Sequence, residues 1–362
     1  LQLYQTLDHT QKSQELRLNG KAGAWLDYTL GAFYFDQETS EDGRINLGYV
    51  GFDFIHGPDP VDAPTWAAFA HGIVHATDKM DLSLGVRYSD EKKEYGYRRT
   101  NADGSAIQPC LGPPGTPGNP PNCLISSLNG TSSTFEDTRV DYRAALAYRW
   151  TDAFMTYAQV STGYKGGGVN PRPFYNVQAF TFDPEELTAY ELGVKTQLLA
   201  DTLRLNAAVF SNTYDDIQLQ LNNCTALVAA ITGDPNTPLG VPCLGIANAG
   251  DADVMGAELE FDWGPTSALL LDGSISYLDF EYTRIDPATG LGIRTVDPAT
   301  GRSHQTITPY TPEIKASIGM QYTFDAGSGG AITPRVDVSY QDEIYSGADN
   351  SPLGLIDSYT LV

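Results

Sequence analysis

Apolar and polar side chains alternate at every second position through most of this sequence. Between Val140 and Trp150 the even positions are all apolar or aromatic, whereas the charged residues from Arg139 to Arg149 all occupy odd positions. Successive side chains on a β-strand point to opposite faces of the sheet. Each such segment is therefore predicted to be a strand with one apolar and one polar face, and the chain is predicted to be all-β.

The polar face carries full charges, which a soluble β-sandwich seldom points inward. Charges that face a water-filled lumen cost little free energy, whereas charges against hydrocarbon are expensive. We therefore expect an antiparallel transmembrane β-barrel in which Leu146, Leu192, Leu205 and Ile318 face lipid. The residues expected to face the lumen are Arg139, Arg143, Glu191, Lys195, Glu258 and Glu260. The segment Trp66 to His75 does not sort cleanly, and its facing stays open.

Short and long connections alternate along the chain. Tight links are predicted near 20–23, 77–79, 151–152, 200–201, 264–267 and 325–330. Long polar links are predicted near 38–64, 98–132, 166–185, 222–252, 285–308 and 344–354. Short periplasmic turns and long extracellular loops are typical of outer-membrane barrels. The pattern predicts about thirteen strands of a larger barrel, with residues 1–362 forming one partial barrel domain.

Composition supports the same class. Aromatic residues recur at strand ends, as expected where rings lie at lipid headgroups; they are Trp150, Trp263, Phe324, Tyr34, Tyr88 and Tyr277. No run approaches the length of about 18 apolar residues that a membrane helix needs. The formal net charge of −23 argues against nucleic acid as a partner. No signal segment follows Leu1, so we expect the natural N-terminus to lie upstream.

The four cysteines form two local pairs in loop-like stretches. Cys110 with Cys123 and Cys224 with Cys243 are predicted to be disulfides, because closing each loop on itself is the least costly of the three possible connectivities. No Cys-x-x-Cys or neighbouring histidine indicates zinc. Disulfides in loops indicate an oxidising compartment, such as the periplasm or the cell exterior.

No motif for catalysis, a metal or a cofactor is found. His71 and His75 share a face of a strand but lie about 13 Å apart, too far for one ion. The repeat Asp-Pro-Ala-Thr-Gly at 286–290 and 297–301 matches no calcium loop. The carboxylates of Glu258, Glu260 and Asp262 are interpreted as part of a solvated wall. We expect that the chain is not an enzyme.

A series of motifs resembles the TonB-dependent outer-membrane receptors. The most specific are Ser161-Thr162-Gly163-Tyr164-Lys165-Gly166-Gly167-Gly168-Val169-Asn170, Phe182-Asp183-Pro184-Glu185 and Tyr190-Glu191-Leu192-Gly193-Val194-Lys195. Weaker matches include Leu84-Gly85-Val86-Arg87-Tyr88, Asn206-Ala207-Ala208-Val209-Phe210 and Thr311-Pro312-Glu313. They occur in the family's order over essentially the whole chain.

The resemblance implies a bacterial outer-membrane receptor whose barrel has about 22 strands and holds a plug. The plug, its energy-coupling segment and the closing strands are not found here. The chain is therefore interpreted as the middle-to-late barrel, with two unpaired strand edges that favour aggregation. The partners implied are outer-membrane lipid, a TonB-type inner-membrane energy complex acting through the missing plug, and a scarce bulky ligand.

A ferric siderophore is the leading ligand, with cobalamin, haem or oligosaccharide as alternatives. A passive porin is compatible with every predicted strand, and a barrel enzyme would need a catalytic set that the sequence does not offer. Ligand contacts are predicted in the loop at 165–185, at Lys165, Asn170, Arg172, Phe174 and Tyr175. The alternative for each is that it shapes the loop without touching a ligand.

Overall fold

The fold is described from a computed structural model. It covers residues 2–48, 51–113, 116–233, 242–296, 301 and 303–362.

The chain forms twenty-three strands within the described residues. They are β1 (Gln2–Ala22), β2 (Leu26–Leu47), β3 (Phe52–Asp62), β4 (Thr65–Thr77), β5 (Met80–Gly96), β6 (Arg99–Asn101), β7 (Ser132–Thr151), β8 (Phe154–Lys165), β9 (Gly168–Val169), β10 (Thr181–Phe182), β11 (Glu185–Leu198), β12 (Leu203–Leu221), β13 (Gly245–Trp263), β14 (Leu269–Ile285), β15 (Arg294–Val296), β16 (Ser303–Gln305), β17 (Ile314–Tyr322), β18 (Phe324–Asp325), β19 (Ala331–Ile332), β20 (Arg335–Gln341), β21 (Ile344–Tyr345), β22 (Leu355–Ile356) and β23 (Tyr359–Leu361).

Among the described residues, helical structure is confined to the connections. One α-helix, α1, spans Thr225–Thr232, and short 3-10 helices span Cys123–Leu128, Asn176–Gln178, Pro287–Thr289, Gly327–Gly329 and Pro352–Gly354. Within the described ranges, no helix has both the length and the apolarity to cross a membrane.

Thirteen strands lie side by side in one antiparallel sheet and in chain order: β1, β2, β4, β5, β7, β8, β11, β12, β13, β14, β17, β20 and β23. These are the barrel strands, and their number confirms the prediction of about thirteen. Among the described residues, β1 pairs only with β2 and β23 pairs only with β20. The pairing of β1 with β2 runs unbroken from Gln2 to Ala22.

The tight links between barrel strands fall where the sequence predicted them. β4 and β5 are separated by two residues, 78–79, and β7 and β8 by 152–153. All of the short links lie at the same end of the sheet, because the strands are antiparallel and neighbouring barrel strands follow one another in the chain. The other end carries the long connections. This arrangement is the short-turn, long-loop pattern of outer-membrane barrels.

The long link predicted near 38–64 is more regular than expected. β2 continues to Leu47, and β3 folds back on it as a hairpin that rises beyond the membrane-spanning part of the sheet. Near the tip of the hairpin Leu47 pairs with Phe52, and Ile45 pairs with Phe54. Leu47, Phe52 and Phe54 are buried against other loops. β6 adds a third strand by pairing with β3.

The register places the predicted apolar residues on one face. Leu146 pairs with Ala158, Ala158 with Leu192, and Leu192 with Val209. Directly paired residues of an antiparallel sheet share a face. Leu205 and Ile318 continue the same face by period-two spacing on β12 and β17. Leu192 is 57% exposed and Ile318 is 53% exposed. Exposed apolar side chains on this face are expected if the face contacts lipid in the membrane.

The opposite face is the polar one, and it collects the predicted charged residues. Arg143 pairs with Ser161, and Glu191 pairs with Gln159. The segment from Trp66 to His75, which the sequence left open, alternates regularly in β4. Phe69 pairs with Arg87 and with Gly31, so the odd positions of β4 belong to the polar face.

Adjacent alanines on β12 test the two faces directly. Ala207 pairs with Val194 and Leu259 on the apolar face, and Ala208 pairs with Gly193 and Glu258 on the polar face. We expect A207R to destabilise the inserted barrel by about 2–4 kcal/mol, because an arginine would meet lipid, and A208R to cost less than half as much. The measurement is the folded fraction of the intact receptor in membranes, read from heat-modifiable gel mobility across a urea series. Equal losses for the two variants would contradict the facing assignment.

Candidate functional site

A cavity of about 370 Å³ opens between four external segments. The β2–β3 hairpin contributes Ile45, Leu47, Phe54 and His56, β6 contributes Arg99, and two loops contribute residues 171–174 and 242–244. The cavity lies beyond the membrane-spanning strands, at the long-loop end. Its volume is at the lower limit of small-molecule sites, about 300–1,000 Å³.

Two of the five predicted ligand residues line this cavity, Arg172 and Phe174. The Arg172 side chain is exposed and forms no hydrogen bond or ion pair with the described residues. The Phe174 ring stacks on Phe52 at 5.8 Å between centroids and meets Phe54 edge-on at 6.3 Å. Phe174 therefore packs the loop at 171–174 against the β2–β3 hairpin.

The other three predicted residues lie around the cavity and do not line it. Lys165 ends β8 with an exposed side chain, and Tyr175 is buried in the loop core. Asn170 is fully buried. Its amide nitrogen donates to the carbonyls of Gln178 at 2.8 Å and Leu244 at 3.0 Å. In the described structure Asn170 thus ties its own loop to the segment 242–244.

Tyr97 adds a further tie to the same loop. Its hydroxyl donates to the backbone carbonyl of Asn170 at 2.8 Å. Burial raises the pKa of Tyr97 to about 12, so the hydroxyl keeps its proton at any physiological pH. The donor is permanent, and it fixes the entrance of the loop.

Close packing explains why residues 166–168 are all glycine. A Cβ built on Gly167 would lie 2.5 Å from the Phe135 ring and 2.5 Å from the carbonyl oxygen of Phe182. The Lys93 ammonium also reaches the carbonyl of Gly167 at 2.5 Å. These close approaches account for the Gly166–Gly168 run without any phosphate-binding role.

Sequence reasoning missed an ion pair beside the cavity. Arg99 Nη1 donates to Asp59 Oδ2 at 2.6 Å, and the two side chains are 3% and 0% exposed. Asp59 Oδ1 also accepts from the backbone N–H of Arg98 at 2.6 Å. Forty residues separate the partners in the chain. Only the pairing of β3 with β6 brings them together, so local pattern carries no signal for them.

His56 is the second missed residue. It lies directly across from Arg99 in the β3–β6 pairing and is 6% exposed. Burial, reinforced by the Arg99 charge, lowers the pKa of His56, although the carboxylates of Glu41, Asp59 and Asp42 act in the opposite direction. His56 is therefore neutral at pH 7 and adds no charge to the cavity.

Both predicted disulfides are present. Cys110–Cys123 and Cys224–Cys243 have Cα–Cα separations of 4.7 and 5.1 Å. The first holds the 3-10 helix that places Ile125 and Leu128, both without exposed surface, in the loop core. The second lies at the cavity, because Cys243 is part of its lining. Each bridge closes one external loop on itself.

That loop core is a hydrophobic cluster of the kind found in soluble domains. It comprises Leu47, Phe52, Phe54, Tyr95, Tyr97, Ile107, Ile125, Leu128, Phe135, Val169, Phe174 and Tyr175. Residues from the hairpin, the first disulfide loop and the 166–178 loop all contribute. The cavity is consequently bounded by packed side chains and not by free loops.

On the polar face, several of the predicted residues have side-chain partners. The Tyr157 hydroxyl donates to Glu191 Oε1 at 2.6 Å, and Lys195 Nζ lies 5.9 Å from the centre of the Tyr157 ring. Arg143 Nη2 donates to Gln159 Oε1 at 2.8 Å. Arg139, which pairs with Ser89 by register, forms ion pairs with Asp137 and Glu186.

Glu258 and Glu260 lie further round the same face. By register Glu258 is opposite Ala208 and Ser276, and Glu260 is opposite Asn206 and Ser274. With Lys315 they line a second, open depression of about 480 Å³. The six predicted wall residues therefore share one face of the sheet.

The histidine pair of β4 has ordinary partners. His71 contacts Ser83 Oγ at 2.8 Å, and His75 contacts Asp81 Oδ1 at 2.7 Å. Across the described ranges, no three His, Cys, Asp or Glu side chains are grouped to hold a metal ion. The first Asp-Pro-Ala-Thr-Gly copy forms a 3-10 turn in which Asp286 Oδ1 accepts from Ala288 N. Residues 297–300 of the second copy lie outside the described residues.

A chain-ordered antiparallel sheet with short turns at one end and long loops at the other is the architecture of an outer-membrane β-barrel. The family model described as "TonB dependent receptor-like, beta-barrel" matches residues 2–362. The chain belongs to the TonB-dependent receptor family and is part of an outer-membrane β-barrel.

Individual relatives agree with this assignment. The pesticin receptor of Yersinia enterocolitica is 28% identical over 256 residues, 70% of this chain and 31% of that protein. The crystal structure of the ferric yersiniabactin uptake receptor FyuA from Yersinia pestis superposes with a TM-score of 0.71 at 22% identity, over 99% of this chain and 46% of that one. The siderophore receptor PiuA from Acinetobacter baumannii gives a TM-score of 0.65 at 17% identity, over 98% and 49%.

The chain thus spans about a third of its curated relative and just under half of the solved receptors. At these identities the solved structures establish the fold.

The buried pair predicts a large local effect on the loops. We expect D59N to destabilise the β3–β6 region by about 3–5 kcal/mol, because it leaves the Arg99 charge buried without a carboxylate. The matched control is D53N, which breaks the half-exposed Arg44–Asp53 pair on the same hairpin and should cost far less, because water screens exposed charges. Hydrogen exchange of β3 and β6 amides in the intact receptor measures both. Equal protection in the two variants would show that the buried pair does not hold this region.

Proposed function

We propose that the intact receptor containing this chain binds a ferric siderophore at its external loops and imports it with energy from a TonB-type inner-membrane complex. The observation that carries the proposal is the cavity between the β2–β3 hairpin and the loops at 171–174 and 242–244. It combines aromatic walls with the exposed guanidinium of Arg172, which suits an anionic ligand that carries rings.

The names of similar proteins support the same ligand class. One solved receptor of the same fold is described as a ferric yersiniabactin uptake receptor and another as a siderophore receptor. Arg172 and Phe174 are the proposed direct contacts. Lys165, Asn170 and Tyr175 are proposed to serve the site from the surrounding loop, with Asn170 acting through the backbone it holds.

The polar face is proposed to be the wall along which the ligand passes. Its residues are Arg139, Arg143, Glu191, Lys195, Glu258 and Glu260. Several of them are already paired with neutral partners, such as Glu191 with Tyr157 and Arg143 with Gln159. A wall of charged and hydroxyl groups keeps water in the lumen and offers weak, exchangeable contacts to a polar ligand.

Energy must come from another protein. A barrel of over about twenty strands encloses a lumen wide enough to need a plug. The Gly166–Gly168 run packs against Phe135 and Phe182 and does not form a phosphate-binding loop. We therefore propose that force from the inner-membrane complex, applied to a plug in the intact receptor, opens the path.

Uptake in whole cells tests the proposal. Cells that make the intact receptor are given labelled ferric siderophores, haem, cobalamin and an oligosaccharide, with and without a working TonB complex. We expect siderophore uptake that falls to background when the complex is deleted, because binding alone does not open a plugged lumen. Cells that lack the receptor but keep the complex are the control.

Each other result identifies an alternative. Uptake that continues unchanged without the complex would replace the proposal by a passive porin. TonB-dependent uptake of haem, cobalamin or an oligosaccharide in place of siderophores would keep the energised transporter and reject the ligand.

A further inference from the structure

Two arginines on the barrel strands have no carboxylate partner. Within the described residues, every other arginine on these strands forms an ion pair with Asp or Glu; they are Arg17, Arg44, Arg139, Arg149, Arg204, Arg284 and Arg335. Arg87 and Arg143 form none with the described residues. The sequence has 45 Asp plus Glu against 22 Lys plus Arg, so a shortage of carboxylates does not explain the difference.

The same two arginines line one cavity, an open depression of about 420 Å³ on the polar face of the barrel strands. Among the described residues it shares no lining residue with the cavity between the external loops. Arg143 pairs with Gly85 across β5 and β7, and Arg87 lies two residues along β5 from Gly85. Long side chains at such diagonal positions reach a common space. We refer to this space as the lumenal depression.

The Arg87 guanidinium is positioned by two aromatic rings. Its Cζ lies 5.6 Å from the centre of the Phe33 ring and 5.8 Å from the centre of the Phe69 ring, distances at which a cation and a π-system attract each other. Nε donates to Ser89 Oγ at 3.1 Å. The two Nη atoms form no hydrogen bond with the described residues and are not buried. Arg87 is therefore held in place with two accessible donor atoms.

Arg143 is held from the opposite side. Its Nε and Nη2 both donate to Gln159 Oε1, at 3.2 and 2.8 Å, which turns the guanidinium toward β8. Nη1 has no partner among the described residues, and the side chain is exposed. Arg87 is turned toward Phe69 of β4, so the two guanidiniums flank Gly85. The missing side chain of Gly85 leaves the space between them open.

The carboxylates that line the depression are already engaged. Glu15 pairs with Arg17 at 2.8 Å. Asp141 lies opposite Arg87 in the register, but its Oδ1 accepts from Thr162 Oγ1 at 3.2 Å. Three guanidiniums therefore line the depression with two partnered carboxylates. A depression of one prevailing charge on a low-dielectric wall focuses the electric field and attracts ions of the opposite charge.

We propose that the lumenal depression binds a ligand with two carboxylate groups, one at the Nη atoms of Arg87 and one at Nη1 of Arg143. A dianion would relieve the repulsion between two cations on one wall. The inference rests on the proposed function and gives the ligand a second site inside the lumen, separate from the external cavity. The carboxylates have two sources: a free dicarboxylate, or the free acid groups of a metal chelate.

Binding of small probes to the purified intact receptor tests this site. Calorimetry at low salt compares adipate with its half-amide and its diamide, which have the same chain length and fewer charges. A second arm compares a ferric chelate that carries two free carboxylates with its dicarboxamide analogue. We expect the dianion to bind at least about tenfold more tightly than the diamide in one or both arms, because guanidinium–carboxylate bonds are charge-assisted.

Variants locate the effect. R87Q and R143Q should each weaken dianion binding about three- to tenfold, and the double variant should lose the preference over the diamide. G85V keeps both guanidiniums and fills the space between them. A Cβ at Gly85 would meet its nearest neighbours at 3.4 and 3.9 Å, so the strand accommodates it, and dianion affinity should fall about tenfold through overlap with the ligand. R149Q removes one charge from β7 outside the depression and should bind like the wild type.

Heat-modifiable gel mobility checks that each variant is folded, and G85V decides the matter if the double glutamine variant does not fold. A preference for the dianion in the chelate arm alone assigns the site to the transported ligand, and a preference in the adipate arm alone assigns it to a free dicarboxylate. Equal binding of dianion and diamide in both arms would overturn the site. Equal losses in R143Q and R149Q, or unchanged dianion binding in G85V, would overturn it as well.

The outcome is independent of the uptake experiment. Failure of dianion binding would reject the lumenal depression as a site and leave TonB-dependent uptake in place. TonB-independent uptake would reject the proposed function and leave the binding results for Arg87 and Arg143 in place.

Discussion

Backbone hydrogen bonding inside hydrocarbon is the constraint on which this structure depends. Lipid offers no donors or acceptors, so each N–H and C=O that crosses the membrane must find a partner in a neighbouring strand. The thirteen barrel strands satisfy this requirement by consecutive antiparallel pairing, as in the unbroken registers of β1 with β2 and β11 with β12. Once the strands are paired, their side chains have only two directions, and alternation separates lipid-facing from lumen-facing residues.

Outside the membrane, burial of apolar side chains determines how the same chain folds. The external segments are surrounded by water, so they bury apolar side chains against each other and form a core around Phe54, Tyr97 and Phe174. Two disulfides and the buried Arg99–Asp59 pair restrict this core further. A loop region built in this way holds a cavity of defined shape, and a defined shape is what a selective receptor needs at the point of first contact.

The sequence predicted those features that are local in the chain. Alternation identified the strands and the facing of residues such as Leu192 and Glu191, and the short links separated the strands correctly. Close spacing of the cysteines predicted both disulfides. The β2–β3 hairpin was expected to be part of a long polar link. The sequence did not reveal it, because its apolar residues pack on loops that are distant in the chain.

The site was less predictable for the same reason. Arg172 and Phe174 line the cavity, whereas the side chain of Asn170 is bonded to backbone groups of its own loop and of residue 244. Asp59, His56 and Arg99 meet only through strand pairing across about forty residues of sequence, and no local motif marks such a contact.

The central claim is that ligand enters this protein through the cavity bounded by the β2–β3 hairpin and the loops at 171–174 and 242–244. The most direct measurement is an iron anomalous-difference map from crystals of the intact receptor grown with a ferric siderophore that the cells import. The account predicts an iron peak at the mouth of that cavity, with an oxygen of the ligand against Arg172. An iron peak at a different part of the barrel, with the cavity unchanged, would contradict it.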